Sequence, residues 1–197
     1  MTPTKPGLFG RIAPLYALFF SYQRRSHGRA FDLVDRALGM RGYRTVLDVG
    51  CGTGALCAAW KQRGYAATGV DREAKMVDVA RRKTQGSGID FLVGDVLRGL
   101  PFPDASFDVV IASHVAHGLP AEERQVMYSE MKRIAKRLVI LHDFNQVRSA
   151  LLDFIEALEG SDYPQFIETV HAEMQSHFAT VNWLAVGTHA TWYIGHK

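Results

Sequence analysis

The stretch Thr45-Val-Leu-Asp-Val-Gly-Cys-Gly-Thr-Gly54 constrains this chain more than any other. Val46, Leu47 and Val49 form a short apolar run of the kind that becomes a strand buried on both faces. Gly50, Gly52 and Gly54 follow at alternate positions. Glycine reaches backbone angles closed to other residues and has no side chain to hold a neighbour away. A strand that turns through such glycines into a helix lets a ligand lie almost against the main chain. The stretch therefore predicts a nucleotide-like cofactor, whose identity depends on the rest of the chain.

At 197 residues the chain has the size of one domain, or of one domain with an added cap. Apolar residues make up 47% and charged residues 22%, enough for a sizeable core. The two cysteines, Cys51 and Cys57, lie inside or just after the glycine loop, so neither a disulfide framework nor a zinc spacing is present and no metal is expected. That cysteine usage favours a reducing, cytoplasmic setting. The apolar run from Ala13 to Phe20 is shorter than the about 20 residues a membrane span takes. Arg11 before it keeps a signal peptide open, but Tyr22-Gln-Arg-Arg-Ser-His offers no small-residue cleavage site. The net charge of +3 is spread thinly, which neither requires nor excludes a nucleic-acid partner. Nothing in the composition sets an oligomeric state.

Residues 1–28 carry Phe9, Tyr16, Phe19, Phe20 and Tyr22 and end in a basic pair. They predict a short helix outside the main sheet, either packed on the domain or acting as a lid over it. Residues 29–39 predict a second helix, with Phe31, Val34 and Leu38 at helical spacing and Gly39 as its stop. Strands then alternate with helices: strands at 44–49, 66–70, 89–93, 107–112 and 137–141, with helices from Gly54, over 73–83 and over 121–135. The last of these turns Val126, Met127, Met131 and Ile134 inward. Such alternation means a parallel sheet covered on both faces, an α/β fold of Rossmann-like, doubly wound type. Beyond His142 the stripe Val147, Leu151, Leu152, Ile155 and Leu158 predicts a helix, and another covers 163–176. Two closing strands, at 178–186 and 190–195, stand too close for a crossover and must pair antiparallel.

The glycines alone leave the cofactor open. Gly50, Gly52 and Ala55 also satisfy the dinucleotide fingerprint, and Asp71 lies about 20 residues on, where a ribose-binding acid belongs. An NAD-dependent oxidoreductase is therefore a competitor. Four features favour another cofactor. Asp48 precedes the first glycine by two residues and suits a cationic amino group better than a pyrophosphate. Gly54 adds a third glycine, Gly94-Asp95 closes the third strand with another acid, and the sheet ends in an antiparallel hairpin. Together they resemble the class I S-adenosylmethionine-dependent methyltransferases of the small soluble type, from about residue 29 onward and most strongly over 45–115.

That resemblance implies a seven-stranded methyltransferase fold and S-adenosyl-L-methionine as methyl donor, with S-adenosyl-L-homocysteine as product. It implies Gly50, Gly52 and the backbone of Cys51 against the methionine part, with Asp48 near its amino group. Asp71 would take the two ribose hydroxyls, Arg72 and Met76 would flank the adenine, and Asp95 with the amide of Val96 would meet its edge. Ser113 and His114 would face the sulfonium and the methyl group. His114, His117 or His142 could accept a proton from an acceptor oxygen or nitrogen. Tyr16, Tyr22 and His142 are candidates for the acceptor side.

Each of these has a structural reading beside it. Asp71 could cap the helix at 73–83, Cys51 could fill the loop, and a loop histidine could merely anchor a hydrogen bond. Asp108, at the start of a strand, reads as structural. Asp143 is unsuited to orient His142, since adjacent residues rarely face each other. After the fourth strand Ala112-Ser-His-Val replaces the Asn/Asp-Pro-Pro-Tyr motif of many nucleic-acid and protein amino-group methyltransferases, and no Pro-Cys nucleophile is present. The expected acceptor is a small molecule, apolar or aromatic. RNA methylation and a non-catalytic cofactor-binding protein remain alternatives, as does the NAD enzyme, for which no Tyr-x-x-x-Lys set is found.

Overall fold

The computed structural model describes residues 17–147 and 163–197. One sheet is built from β1 (Thr45–Val49), β2 (Ala66–Asp71), β3 (Asp90–Val93), β4 (Phe107–Ser113), β5 (Ala135–Phe144), β6 (Thr180–Ala185) and β7 (Ala190–His196), in the order β3-β2-β1-β4-β5-β7-β6. Strands β1 to β5 pair in parallel, and β7 lies antiparallel between β5 and β6. This is the α/β architecture expected from the alternation. The chain leaves β1 toward β2 on one side and returns to β4 on the other, so the crevice at the carboxyl end of β1 is a topological switch point.

Two apolar layers clamp the sheet because strand residues alternate faces. Leu47, Val49, Val110, Val139, Leu141 and Tyr193 point to one face, where α4 (Ala121–Ile134) and α5 (Tyr163–His177) cover them. Val46, Val109, Ile111, Leu138, Ile140 and Trp192 point to the other, beneath α1 (Phe20–Leu38), α2 (Ala55–Lys61) and α3 (Ala74–Lys83). On the first face the fully buried Arg124 of α4 forms a bidentate pair with Glu173 of α5, at 2.9 and 2.7 Å. Asp108 is structural, as expected: its Oδ2 accepts hydrogen bonds from the amides of Arg44 and Thr45.

Three expectations need correction. The helix pair predicted at 1–28 and 29–39 is a single helix from Phe20 to Leu38, ended as expected by Gly39 at φ 63°. The interior position of Gly28 does not break it, because Arg63, in the turn just after α2, occupies the space a side chain would need. A Cβ there would lie 2.9 Å from the guanidinium, which donates to the Gly28 carbonyl and to both carboxylate oxygens of Asp32. Val126 faces solvent rather than the core. Strand β5 runs to Phe144 rather than stopping at Leu141, so His142 lies inside it. The stripe from Leu151 to Leu158 lies outside the described residues, as do Phe9 and Tyr16. Among the described residues no helix is long and apolar enough to cross a membrane.

Candidate active site

The turn after β1 is held down by the neighbouring strand: the amides of Gly50 and Cys51 both donate to the Val70 carbonyl, at 2.8 and 3.0 Å. Gly50, Gly52 and Gly54 all adopt positive φ, but they serve different ends. A Cβ on Gly50 would meet Val115 Cγ2 at 2.5 Å, and one on Gly54 would meet the Phe91 ring at 2.8 Å. A Cβ on Gly52 would meet nothing within 4 Å. Two of the glycines therefore pack the fold, and Gly52 borders open space. Gly50→Ala is expected to destabilise the chain by about 2–4 kcal/mol, combining a left-handed backbone with overpacking, as read by urea denaturation. Gly52→Ala carries only the backbone cost.

Two carboxylates flank this turn. Asp48 is buried; its Oδ2 accepts a hydrogen bond from the Cys57 thiol at 3.4 Å, and its Oδ1 has no partner. Burial raises its pKa to about 7, against the opposing hydrogen bond from Cys57. Asp71, at the end of β2, accepts from the Gly52 amide through Oδ2 and from the Glu73 amide through Oδ1, each at 2.8 Å. Burial pushes its pKa up, and those two amides pull it back. At the end of β3, Asp95 accepts from the Leu97 amide at 3.0 Å and caps a short 3-10 turn over Val96–Arg98. The three acids thus stand at the carboxyl ends of three adjacent strands.

Across the switch point, the ends of β4 and β5 gather histidines. Ser113 Oγ lies 3.2 Å from His142 Nδ1. The rings of His27, on α1, and His142 meet edge to face at 5.2 Å, and His114 lies 5.1 Å from His142. His27 is half-buried, with its Nδ1 enclosed and unpartnered, and desolvation drives its pKa down to about 3. Burial likewise holds His142 well below its ordinary value, so both rings are neutral at physiological pH. On the other face of β5, Asp143 is fully enclosed. His117 Nδ1 lies 2.7 Å from its Oδ1, the Phe144 amide donates to the same oxygen, and the Ala116 and His117 amides donate to Oδ2. These donors outweigh burial and lower its pKa to about 2, so the carboxylate is ionised and His117 donates to it. Phe144 sits against both His114 and His117, at 5.0 and 4.7 Å between ring centres. His114 itself has φ 54°, an uncommon backbone for a residue with a side chain.

Residues 47–141 match the family model described as "Methyltransferase domain". Over residues 47–141 the chain is a methyltransferase domain, in line with the class I resemblance of its sequence. Malonyl-[acyl-carrier protein] O-methyltransferase of Serratia marcescens is 34% identical over 110 residues, 54% of this chain and 39% of that protein. Demethylmenaquinone methyltransferase of Thermus thermophilus is 38% identical over 112 residues, 52% of this chain and 49% of that protein. The match thus spans less than half of either relative. Magnesium protoporphyrin IX methyltransferase from Synechocystis PCC 6803, crystallised with bound S-adenosylhomocysteine, superposes with a TM-score of 0.67 at 23% identity, covering 89% of this chain and 83% of that one. That likeness extends the shared fold well beyond the matched residues.

Within the methyltransferase domain, Asp48, Gly52, Asp71 and Asp95 gather along the open edge, and the cofactor fits what they leave unsatisfied. A cationic amino group is the partner that the buried Asp48 Oδ1 lacks, and a phosphate would be repelled there. Cys51 reaches the site only through its backbone; its side chain packs into the core beside Gly69 and Phe91. Met76 is buried and Arg72 is exposed. Val96 is buried at the start of the 3-10 turn. Tyr22 is largely exposed, and Tyr16 lies outside the described residues. Sequence reasoning missed Asp143 as the partner of His117. It also missed His27, and Gln23, whose Oε1 accepts from the Thr53 hydroxyl of the glycine turn at 3.2 Å. The first pairing joins Asp143 of β5 to His117, 26 residues earlier in a 3-10 turn after β4, and only the strand order brings them together.

Proposed function

We propose that this chain transfers a methyl group from S-adenosylmethionine to an oxygen or nitrogen of a small, largely apolar acceptor. One observation carries the reading: a buried carboxylate with one unpartnered oxygen, Asp48 Oδ1, lies on one side of the switch point, and a wall of histidine and phenylalanine rings on the other. Bound there, S-adenosylmethionine supplies an electrophilic methyl group on a cationic sulfur. Asp48 holds the cofactor's amino group, and Asp71 takes the ribose hydroxyls on the lone pairs its two amide donors leave free. Asp95, Val96, Arg72 and Met76 border the adenine. Ser113 and His114 face the methyl group, with His117 and His142 beside the acceptor, and α1 with Tyr22 covers that side. Positive charge disappears as the methyl moves, so alignment and exclusion of water carry much of the rate, up to roughly 7–11 kcal/mol in well-held geometry. Two buried free cysteines suit the cytoplasmic setting. Burial holds both thiols well above their ordinary value, which keeps them protonated and unreactive.

Calorimetric titration with S-adenosylhomocysteine and with NAD, followed by labelled methyl transfer to a panel of phenols and quinols, tests this. Binding of the sulfur compound and labelling of a small acceptor are expected. NAD binding without the other would establish the oxidoreductase instead, labelling of total RNA that falls steeply with salt would establish RNA methylation, and cofactor binding without labelling would favour a non-catalytic role. The affinity should also depend on pH. Free Asp48 titrates near pH 7 and must ionise to pair with an ammonium group. Affinity for S-adenosylhomocysteine is therefore expected to rise from pH 5.5 toward pH 7, by up to about tenfold per unit, and then to level off. Asp48→Asn should flatten that profile and weaken binding throughout.

A further inference from the structure

We propose that His114, His117 and Asp143 form a binding site for one divalent transition-metal cation beside the methyl-transfer site. One ligand atom from each of the three lies within 4.8 Å of the others. Two imidazoles and one carboxylate are the donor set of cations such as Zn²⁺, Fe²⁺, Co²⁺ and Mn²⁺. Metal–ligand bonds of about 2.0–2.2 Å place such donors roughly 3.0–3.4 Å apart. The present separations bracket that range: His117 Nδ1 stands 2.7 Å and His114 Nδ1 3.9 Å from Asp143 Oδ1. Binding therefore asks His117 to ease back slightly and His114 to move in by less than about 1 Å. The His114 side chain is 40% exposed, at the rim of the site rather than in the core.

The surroundings are built for a fixed carboxylate. Three backbone amides, of Ala116, His117 and Phe144, hold Asp143 in place, as outer partners of a ligating carboxylate do. The left-handed backbone of His114 turns the chain directly after β4, and such conformations persist where the surrounding structure enforces them. Three protein ligands leave coordination positions open, as in catalytic rather than structural metal sites. Resting on the proposed methyl transfer, the acceptor class narrows to molecules whose nucleophilic oxygen can fill one of those positions. No ligand spacing announces the site in the sequence, because Asp143 comes from β5 and His117 from a 3-10 turn after β4.

The test uses chelator-stripped protein titrated separately with Zn²⁺ and Mn²⁺ by calorimetry in two buffers of different ionisation enthalpy. One equivalent of at least one cation is expected per chain, with His117 moving its proton from Nδ1 to Nε2 to free the ligand atom. His117→Ala and Asp143→Asn should each weaken that cation at least 100-fold. His114→Asn, a residue type that tolerates the left-handed backbone, should weaken it at least tenfold while the fold persists. His196→Ala, far along β7, should leave it unchanged. Absence of stoichiometric binding by both cations, or equal affinity in wild type and His114→Asn, overturns the site. S-adenosylhomocysteine titrated into the same stripped protein separates the two readings: if it binds and the cations do not, the metal site alone falls, and if only a cation binds, methyl transfer alone falls.

Discussion

Replacing Asp71 with alanine is expected to weaken S-adenosylhomocysteine binding by at least 100-fold. The substitution acts twice. It removes the acceptor proposed for the ribose, and it leaves the Gly52 and Glu73 amides without the carboxylate that each now meets at 2.8 Å. Hydrogen bonds to charged groups contribute about 1.5–3 kcal/mol each, offset here by the cost of enclosing the carboxylate, so a stability loss of about 2 kcal/mol should accompany the loss of binding. Calorimetry at saturating ligand and urea denaturation of the free protein measure the two effects separately. Asp71→Asn refines the test: its amide oxygen can satisfy one of the two backbone donors but not both. Binding by Asp71→Ala within a factor of three of wild type would remove Asp71 from the cofactor site.

Asp143→Asn is the other large effect, and it should fall on turnover rather than on the cofactor. Methyl transfer is expected to drop at least 100-fold, while S-adenosylhomocysteine affinity stays within about threefold, because Asp143 lies across the switch point from the carboxylates proposed to hold the cofactor. Removing one partner from a buried, hydrogen-bonded ion pair costs on the order of 3–5 kcal/mol. The neutral amide recovers part of that, and Asp143→Ala recovers none. The pH dependence gives an independent reading. Asp143 has a folded pKa of about 2, below its ordinary value, so its contribution is present above about pH 4 and is lost as the pH falls toward 2. The shift corresponds to roughly 2 kcal/mol, and the asparagine variant should lack that part of the acid limb. An unchanged acid limb in the variant would contradict the His117–Asp143 pairing.

The parts of this molecule that were legible in its sequence are those written in apolar rhythm. Val46, Leu47 and Val49 announce β1, and the short link between the last two strands forces the antiparallel hairpin that β6 and β7 form. The polar ends of the strands were harder. Reading stopped β5 at Leu141 because His142 and Asp143 resemble a loop, yet the strand continues: it is paired on both sides, His142 with Ser113 and with Trp192. The alternation of a strand then sends His142 toward α1 and Asp143 toward the opposite face, which is why the two neighbours serve different partners. The expectation that they would not face each other was sound, but it could not reveal the histidine that Asp143 does meet. Likewise the three glycines of the turn look equivalent in sequence, and only Val115 and Phe91, from distant segments, distinguish the two that pack from the one that borders the site.

The seat of α1 has a consequence for how acceptor choice can change. His27 and Gly28 are consecutive, one turned toward His142 and the other pressed on Arg63, so the rotation of the whole helix is set by a residue of the turn after α2. Through Gln23 and Thr53 the same helix touches the glycine turn. An N-terminal segment borrowed from another enzyme would therefore change the proposed acceptor side only if Arg63 or its equivalent travelled with it. The transplantable unit is the helix together with its arginine socket, two pieces of sequence separated by β1, the glycine turn and α2.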